Sequence, residues 1–281
     1  MLEIVSHGDV AQLQMRSWRT RAAGYQVSAY FARGVLIDTG FAGAAPALDG
    51  WLRNARRTFL HGSADGLQAA VLTHAHEDHS GNAGLLQERG VPVWIAPVTR
   101  QAFAELGAIP WYRRFTWGSP IPLAPDAGRQ ASGAVELPPG MEVIHAPGHA
   151  PDHHVVWDNE TGTLFSGDLF LGVRVKVAHH SEAPRALVAS LRRLAALDPA
   201  RMFDAHRGSV PTPAAALRAK ADWLEETIAE IERRAAAGES ARSIRDSVLG
   251  REPAEYYVSF NEYSKLQLVQ TILATRVAGG A

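Results

Sequence analysis

Three features of the chain predict an α/β protein. Short apolar runs recur and stop at polar or glycine-containing turns, helical periodicity fills the gaps between them, and the last quarter is helical throughout. The runs are Gly34-Val35-Leu36-Ile37-Asp38, Leu67 to Thr73, Val93-Trp94-Ile95, Met141-Glu142-Val143-Ile144 and Val155-Val156-Trp157, each of strand length and suited to a buried sheet. Asp158-Asn159-Glu160-Thr161-Gly162 supplies turn chemistry before Thr163-Leu164-Phe165-Ser166, which predicts a hairpin and leaves Asp168 just past a strand end.

Leu187, Leu191 and Leu194 fall on one helical face after a start between Ser181 and Pro184. Beyond Pro211 and Pro213, Leu217, Leu224, Ile228 and Ile231 share a face that is expected to pack on the core, and Gly238 ends that helix. Glu225 to Arg234 reads as its solvated side. Helical patterns over 241–248 and 264–278 complete the chain. A catalytic domain over 1–213 and a C-terminal helical extension over 214–281, which shapes the pocket entrance or mediates self-association into a homo-oligomer, is the expected organisation.

At 281 residues the chain is long enough for a full core. Its formal charge of -1 gives no field to steer nucleic acid or an anionic membrane, which points to small, roughly neutral substrates. Cysteine is absent, which excludes disulfides, thiolate zinc and a cysteine nucleophile. The first nine residues show neither a basic start nor a sustained apolar segment, and no stretch reaches transmembrane length, so a cytoplasmic protein with no membrane partner is expected.

The densest chemistry lies in His74-Ala75-His76-Glu77-Asp78-His79, directly after an apolar run. One ion cannot use all four donors at this spacing. Two ions about 3.5–4 Å apart can, His74 and His76 on one and Asp78 and His79 on the other. Further donors stand at strand ends: His149 in Pro147-Gly148-His149, Asp168 in Ser166-Gly167-Asp168, and His206 in Asp204-Ala205-His206-Arg207-Gly208. Any one of these three alone would read as a surface or capping residue; their joint order reads as a metal centre.

That order, His-x-His-x-Asp-His, Pro-Gly-His, Ser-Gly-Asp and a final His, with Leu36-Ile37-Asp38-Thr39-Gly40 upstream, resembles the metallo-β-lactamase fold hydrolases over roughly residues 25 to 210. The resemblance implies an αββα sandwich in which His74, His76 and His149 bind one metal, Asp78, His79 and His206 bind a second, and Asp168 bridges them. It places Asp38 as a hydrogen-bond partner behind the ligands. Two positions depart from the family pattern: Arg207 stands where many relatives have glycine, and Asp152-His153 replaces a frequent Gly-His. His7 and His61 read as surface residues, His153 or His154 as a cleft neighbour, and His179 and His180 as pocket wall.

Two divalent ions sharing an oxygen would lower the pKa of water toward about 7 and generate a bridging hydroxide, with Asp78 accepting and relaying its proton. Imidazole and carboxylate donors suit zinc first and tolerate iron or manganese. No Gly-x-Ser-x-Gly elbow offers a serine alternative. Among reactions of the resembling family, the bridging Asp168 argues against a β-lactamase, and Leu169-Phe170-Leu171-Gly172-Val173-Arg174 lacks the Cys-Gly-Arg segment of glutathione-thioester enzymes. The expectation is a binuclear hydrolase of small carbonyl esters, lactones and thioesters first. A phosphodiesterase, a mononuclear iron oxygenase of the sulfur dioxygenase type and a non-enzymatic binding module are the alternatives. The aromatic segment Ile109 to Trp117 is expected either to wall the cleft for an apolar acyl group or to pack as a helix.

Overall fold

The structure, a computed structural model, describes residues 1–22, 24–55, 66–105, 109–121, 123 and 136–276; His61 and residues 277 and 278 lie outside them. The chain divides into two compact units, each discontinuous in sequence. One comprises Met1–His145, Asp152–Asp168 and Met202–Val210; the other comprises Ala146–Pro151, Leu169–Arg201 and Pro211–Ala281.

The first unit holds two sheets. One is formed by β1 (Leu2–His7), β2 (Val10–Met15), β3 (Val27–Ala32), β4 (Val35–Ile37), β5 (Ala69–Val71) and β6 (Val93–Trp94), in that order. It is antiparallel from β1 to β4 and parallel from β4 to β6. The other has the order β11-β10-β9-β8-β7, built from β7 (Met141–His145), β8 (His154–Asp158), β9 (Thr163–Phe165), β10 (Arg201–Asp204) and β11 (Gly208–Ser209). The expected hairpin is present, with Asp158 opposite Thr163.

Strand alternation explains why every residue of β3 is buried. Val27, Ala29 and Phe31 face a core shared with Leu48, Trp51 and Leu52 of α2 (Ala45–Ala55) and with Leu85 and Leu86. Tyr30 and Ala32 face the opposite way, into a core shared with Met141, Val156, Phe165 and Phe203 of the second sheet. The sheets therefore pack face to face, and each fully buried Leu or Phe contributes roughly 1.5–3 kcal/mol. The polar Gln12 joins this interior because its amide donates to Ser28 Oγ at 2.9 Å and its carbonyl pairs with His7 Nε2 at 2.9 Å. His7 is thus half-buried and partnered.

The remaining helices of this unit are short: α1 (Trp18–Ala22) before α2, then α3 (Glu77–Ser80), α4 (Ala83–Glu88), α5 (Pro97–Glu105) and α6 (Trp111–Trp117). The second unit contains α7 (Pro184–Ala195), α8 (Pro213–Ala236), α9 (Ala241–Ile244), α10 (Ala254–Val258) and α11 (Lys265–Ala274). Its core joins Ile228 and Ile231 of α8 with Ile244, Leu268, Val269 and Ile272, as the periodicity of the tail requires. Among the described residues no helix is long and apolar enough to cross a membrane.

Candidate metal centre

Each donor side chain is placed by a strand that ends beside it. After β5 the chain turns through Thr73 to His76 into the single turn α3, so that Asp78 and His79 are already helical when they are presented. Thr39 Oγ1 donates to the His79 carbonyl at 2.8 Å, and Ser80 Oγ donates to the Ala75 carbonyl at 2.9 Å. Asp168 follows β9, and His206 lies between β10 and β11.

Asp38 organises the turn from beneath. Its backbone is left-handed, with φ of 62°, a region in which Asp is better tolerated than most side chains. Its carboxylate accepts from the Thr73 N–H at 2.8 Å, from Thr73 Oγ1 at 2.9 Å and from His79 Nδ1 at 2.7 Å. Thr73 has one hydroxyl proton and gives it to Asp38, so at 3.0 Å it accepts from His74 Nδ1. Nε2 of His74 is thereby left as the electron-pair donor. It lies 3.0 Å from His76 Nδ1, close to the ~3.3 Å separation of two nitrogens bonded at about 2.0–2.1 Å to one tetrahedral ion.

Asp78, His79, Asp168 and His206 form a second donor cluster whose ligand atoms all lie within 4.8 Å of one another. Asp168 Oδ1 is 3.3 Å from His79 Nε2 and 3.2 Å from His206 Nε2; Asp78 Oδ2 is 3.8 Å and 3.6 Å from the same two nitrogens. His206 Nδ1 donates to the Gln26 carbonyl at 2.8 Å, which aims its Nε2 inward as Asp38 does for His79. The buried His79 Nε2 makes no hydrogen bond of acceptable geometry. Imidazoles anchored at one nitrogen, with the other converging on carboxylates, fit a divalent cation.

The charges agree. Burial pulls the His79 and His206 imidazoles down, but Asp168 and the neighbouring carboxylates outweigh it, holding His79 well above its ordinary value and pushing His206 up to about 9. Burial works against the Asp168 charge, and His79 and His206 reverse that and hold its carboxyl well below the usual range. In the metal-free protein, protons thus occupy the place of a cation. A raised folded pKa gives stability that is fully present below the unfolded value of about 6.5 and lost as pH rises through the folded value. The urea midpoint of metal-free protein is therefore expected to fall between about pH 6.5 and pH 9.5. An unchanged midpoint would contradict this electrostatic arrangement.

His149 lies on the loop 146–151, whose two ends continue into His145 and Asp152 of the first unit. Within the second unit that loop is fixed by Ser190 Oγ donating to the Pro147 carbonyl at 2.8 Å and by the Ala183 N–H donating to the Gly148 carbonyl at 2.8 Å. Gly148 has φ of 145°, and a Cβ there would collide with the Leu187 backbone. His149 Nδ1 is 3.8 Å from Glu182 Oε1, and Glu182 accepts from the His179 N–H at 3.2 Å. His179 also pairs with Ser181 Oγ at 2.7 Å and faces Glu262 at 3.3 Å.

Of the two departures from the family pattern, Asp152-His153 has structural roles and Arg207 is accommodated. Asp152 Oδ2 accepts from the Ala75 N–H at 2.9 Å, fixing the backbone between His74 and His76. His153 Nε2 accepts from the Asp168 N–H at 3.1 Å, and Gly167, at φ of 51°, leaves room for that ring: a Cβ there would lie 2.8 Å from Nε2. Of the expected cleft neighbours, His153 thus supports Asp168, whereas His154 turns to the Asp152 carbonyl at 2.7 Å. Arg207 is accommodated because the left-handed residue is Gly208, with φ of 92°, while Asp204 Oδ1 accepts from the amides of His206 and Arg207 at 2.9 and 2.5 Å. The Asp152 and Asp204 roles escape sequence reasoning; Asp204, two residues before His206, is the one with a local signal, an Asx turn.

Ile109 to Trp117 includes α6, in which no side chain is fully buried. Trp117 packs on Phe41 at 5.4 Å, whereas Trp111 is 62% exposed, so the two readings of this segment divide between its residues. Arg113 binds Glu77 in bidentate fashion, Nε to Oε1 at 2.5 Å and an Nη to Oε2 at 2.7 Å. Burial raises the Glu77 carboxyl and Arg113 opposes that rise.

Two sheets packed face to face, with buried imidazoles and carboxylates gathered where strands end, define an α/β sandwich built to bind metal. The chain belongs to the metallo-beta-lactamase superfamily, whose profile matches residues 22–206. Its sandwich fold is shared, at 20% identity and a TM-score of 0.62, with a metallo-beta-lactamase family protein of Thermus thermophilus, over 97% of this chain and 96% of that one. A metallo-beta-lactamase from Pontibacter korlensis matches at 19% identity and a TM-score of 0.59, over 80% of this chain and 99% of its own. By sequence the chain is 28% identical over 159 residues to a beta-lactamase-like protein 2 homolog of Drosophila melanogaster, covering 52% of this chain and 47% of that protein. It is 29% identical over 142 residues to a hydroxyacylglutathione hydrolase of Bdellovibrio bacteriovorus, covering 50% and 45% respectively. The chain thus spans about half the length of these curated relatives.

Proposed function

We propose that this chain is a binuclear metal-dependent hydrolase of small carbonyl esters, lactones and thioesters first. The observation that carries the reading is Asp168 Oδ1, 3.3 and 3.2 Å from the two anchored imidazoles of one donor cluster; that this carboxylate is also shared with a second ion is what the family resemblance implies. Asp78, His79, Asp168 and His206 would hold one ion. His74 and His76 would hold the other, with His149 as the third ligand that the family resemblance implies. Two divalent ions, zinc first and iron or manganese next, would supply ionised water and a charge that polarises the substrate carbonyl.

The chain's own groups would do the rest. Asp38, Thr73 and the Gln26 carbonyl would hold His79, His74 and His206 in the tautomers whose Nε2 carries the electron pair. Asp78 is the proton acceptor, placed beside both imidazoles of its site and only slightly exposed. Similarity to a hydroxyacylglutathione hydrolase supports thioesters within the carbonyl class. The formal charge of -1 supports a small substrate over a nucleic acid chain or a membrane surface, and a cytoplasmic setting is part of the same proposal.

Elemental analysis, combined with turnover of a lactone, a thioester and bis(p-nitrophenyl) phosphate, tests this. Two metals per chain and ester turnover exceeding phosphodiester turnover are expected. One iron per chain with oxygen-dependent turnover, or faster phosphodiester cleavage, would replace the proposal.

A further inference from the structure

Glu77 stands between the proposed ligands His76 and Asp78, yet its carboxylate belongs to neither donor cluster. Its side chain is 3% exposed and is gripped by Arg113, itself 13% exposed, through two parallel hydrogen bonds. A guanidinium fork fixes direction as well as charge, because both oxygens of the carboxylate are held in its plane. Glu77 is also the first residue of α3, the single turn that presents Asp78 and His79.

The segment carrying Arg113 returns to the other end of the same turn. After α6, the Ile121 N–H donates to the carbonyl of Gly81, the residue that closes α3, at 3.0 Å. Residues 113 and 121 therefore bracket α3 at residues 77 and 81. No side chain of α6 is fully buried, and Trp111 and Phe115 are 62% and 52% exposed. Its position is set instead by the Arg113 fork, by Trp117 on Phe41 at 5.4 Å, and by Arg19 donating to the Phe115 carbonyl at 2.8 Å.

A one-turn helix has little intrinsic stability, since nucleation is its costly step. The direction in which Asp78 and His79 point depends on what clamps its ends. His79 has its own clamp in Asp38; Asp78 is oriented by the backbone that Glu77 and Arg113 hold.

We propose that residues 109–121 splint the metal turn, and that Arg113, acting through Glu77, is a positioning residue for the site of Asp78, His79, Asp168 and His206. The inference rests on the two-metal reading above and concerns affinity at one of the two sites. Removal of partners behind metal ligands typically weakens binding about 10- to 100-fold. Arg113→Ala is expected to weaken one of the two metal equivalents by that factor and leave the other unchanged. Arg113→Lys, which keeps the charge and loses the fork, should recover only part.

Zinc titration of the full-length, metal-stripped chain against a chromophoric chelator reads both affinities without turnover, and urea unfolding of the same samples reads stability separately. If Arg113→Ala does not fold, Arg113→Lys and Glu77→Gln carry the test. Selective weakening of one equivalent supports the splint. Unchanged affinities, or equal weakening of both, overturn it. Wild-type protein that binds two zinc ions and hydrolyses no ester defeats the hydrolase reading alone; ester hydrolysis with zinc affinities untouched in all three variants defeats the splint alone.

Discussion

Asp168→Asn is expected to lower ester turnover by at least about 10³-fold, equivalent to about 4 kcal/mol of lost barrier reduction, and to reduce bound metal below two per chain. The replacement has nearly the same shape, so the backbone should be indifferent: His153 still receives the residue's N–H, and Gly167 keeps its left-handed turn. What changes is that a neutral amide replaces the charge that draws His79 and His206 together across 3.3 and 3.2 Å. Circular dichroism should match the parent. Elemental analysis that still finds two tightly held ions, with turnover within tenfold of the parent, would rule out the bridging role proposed for Asp168.

The second large effect concerns Asp38, which touches no proposed metal position. Asp38→Ala removes the acceptor of the buried Thr73 amide, the Thr73 hydroxyl and His79 Nδ1, and puts alanine at a φ of 62°. Breaking a buried charged network of this kind costs about 3–5 kcal/mol, and the left-handed backbone adds to it. Asp38→Asn tolerates that backbone and retains part of the hydrogen bonding, so it should lose less stability. Because a neutral amide orients an imidazole less firmly than a carboxylate, zinc affinity should still fall about 10- to 100-fold. Urea denaturation and chelator competition separate the two quantities. Equal stability loss in both variants would mean that the charge matters and the backbone conformation does not.

The local parts of this architecture were legible in the sequence. Strands β4 to β9 are apolar runs bounded by turn residues, and α7 and α8 carry clean helical stripes, because a buried sheet and a one-sided helix leave those patterns. Strands β2 and β3 leave no apolar run because they bury polar residues: Gln12 and Ser28 satisfy each other across the pair, which hides the period. Residues of the donor clusters were legible because four sit within six positions and the rest carry short motifs. Of their supports Asp38 was legible; the others were not, for a physical reason. Asp152 meets Ala75 across 77 positions and Arg113 meets Glu77 across 36, and the folded chain alone creates such pairs. The segment Trp111 to Trp117 has no helical stripe to read: Arg113 on Glu77 and Trp117 on Phe41, four positions apart, tie it down rather than a continuous apolar face.

The donors of one cluster are spread from position 78 to position 206, and His206 is held by a carbonyl at position 26. A chain emerging from the ribosome therefore cannot close this cage until its last imidazole has left the exit tunnel and β10 has joined its sheet. Capture of the proposed ion at this cluster is then a late event in biogenesis, and a polypeptide ending before residue 206 would lack one of the cluster's four donors.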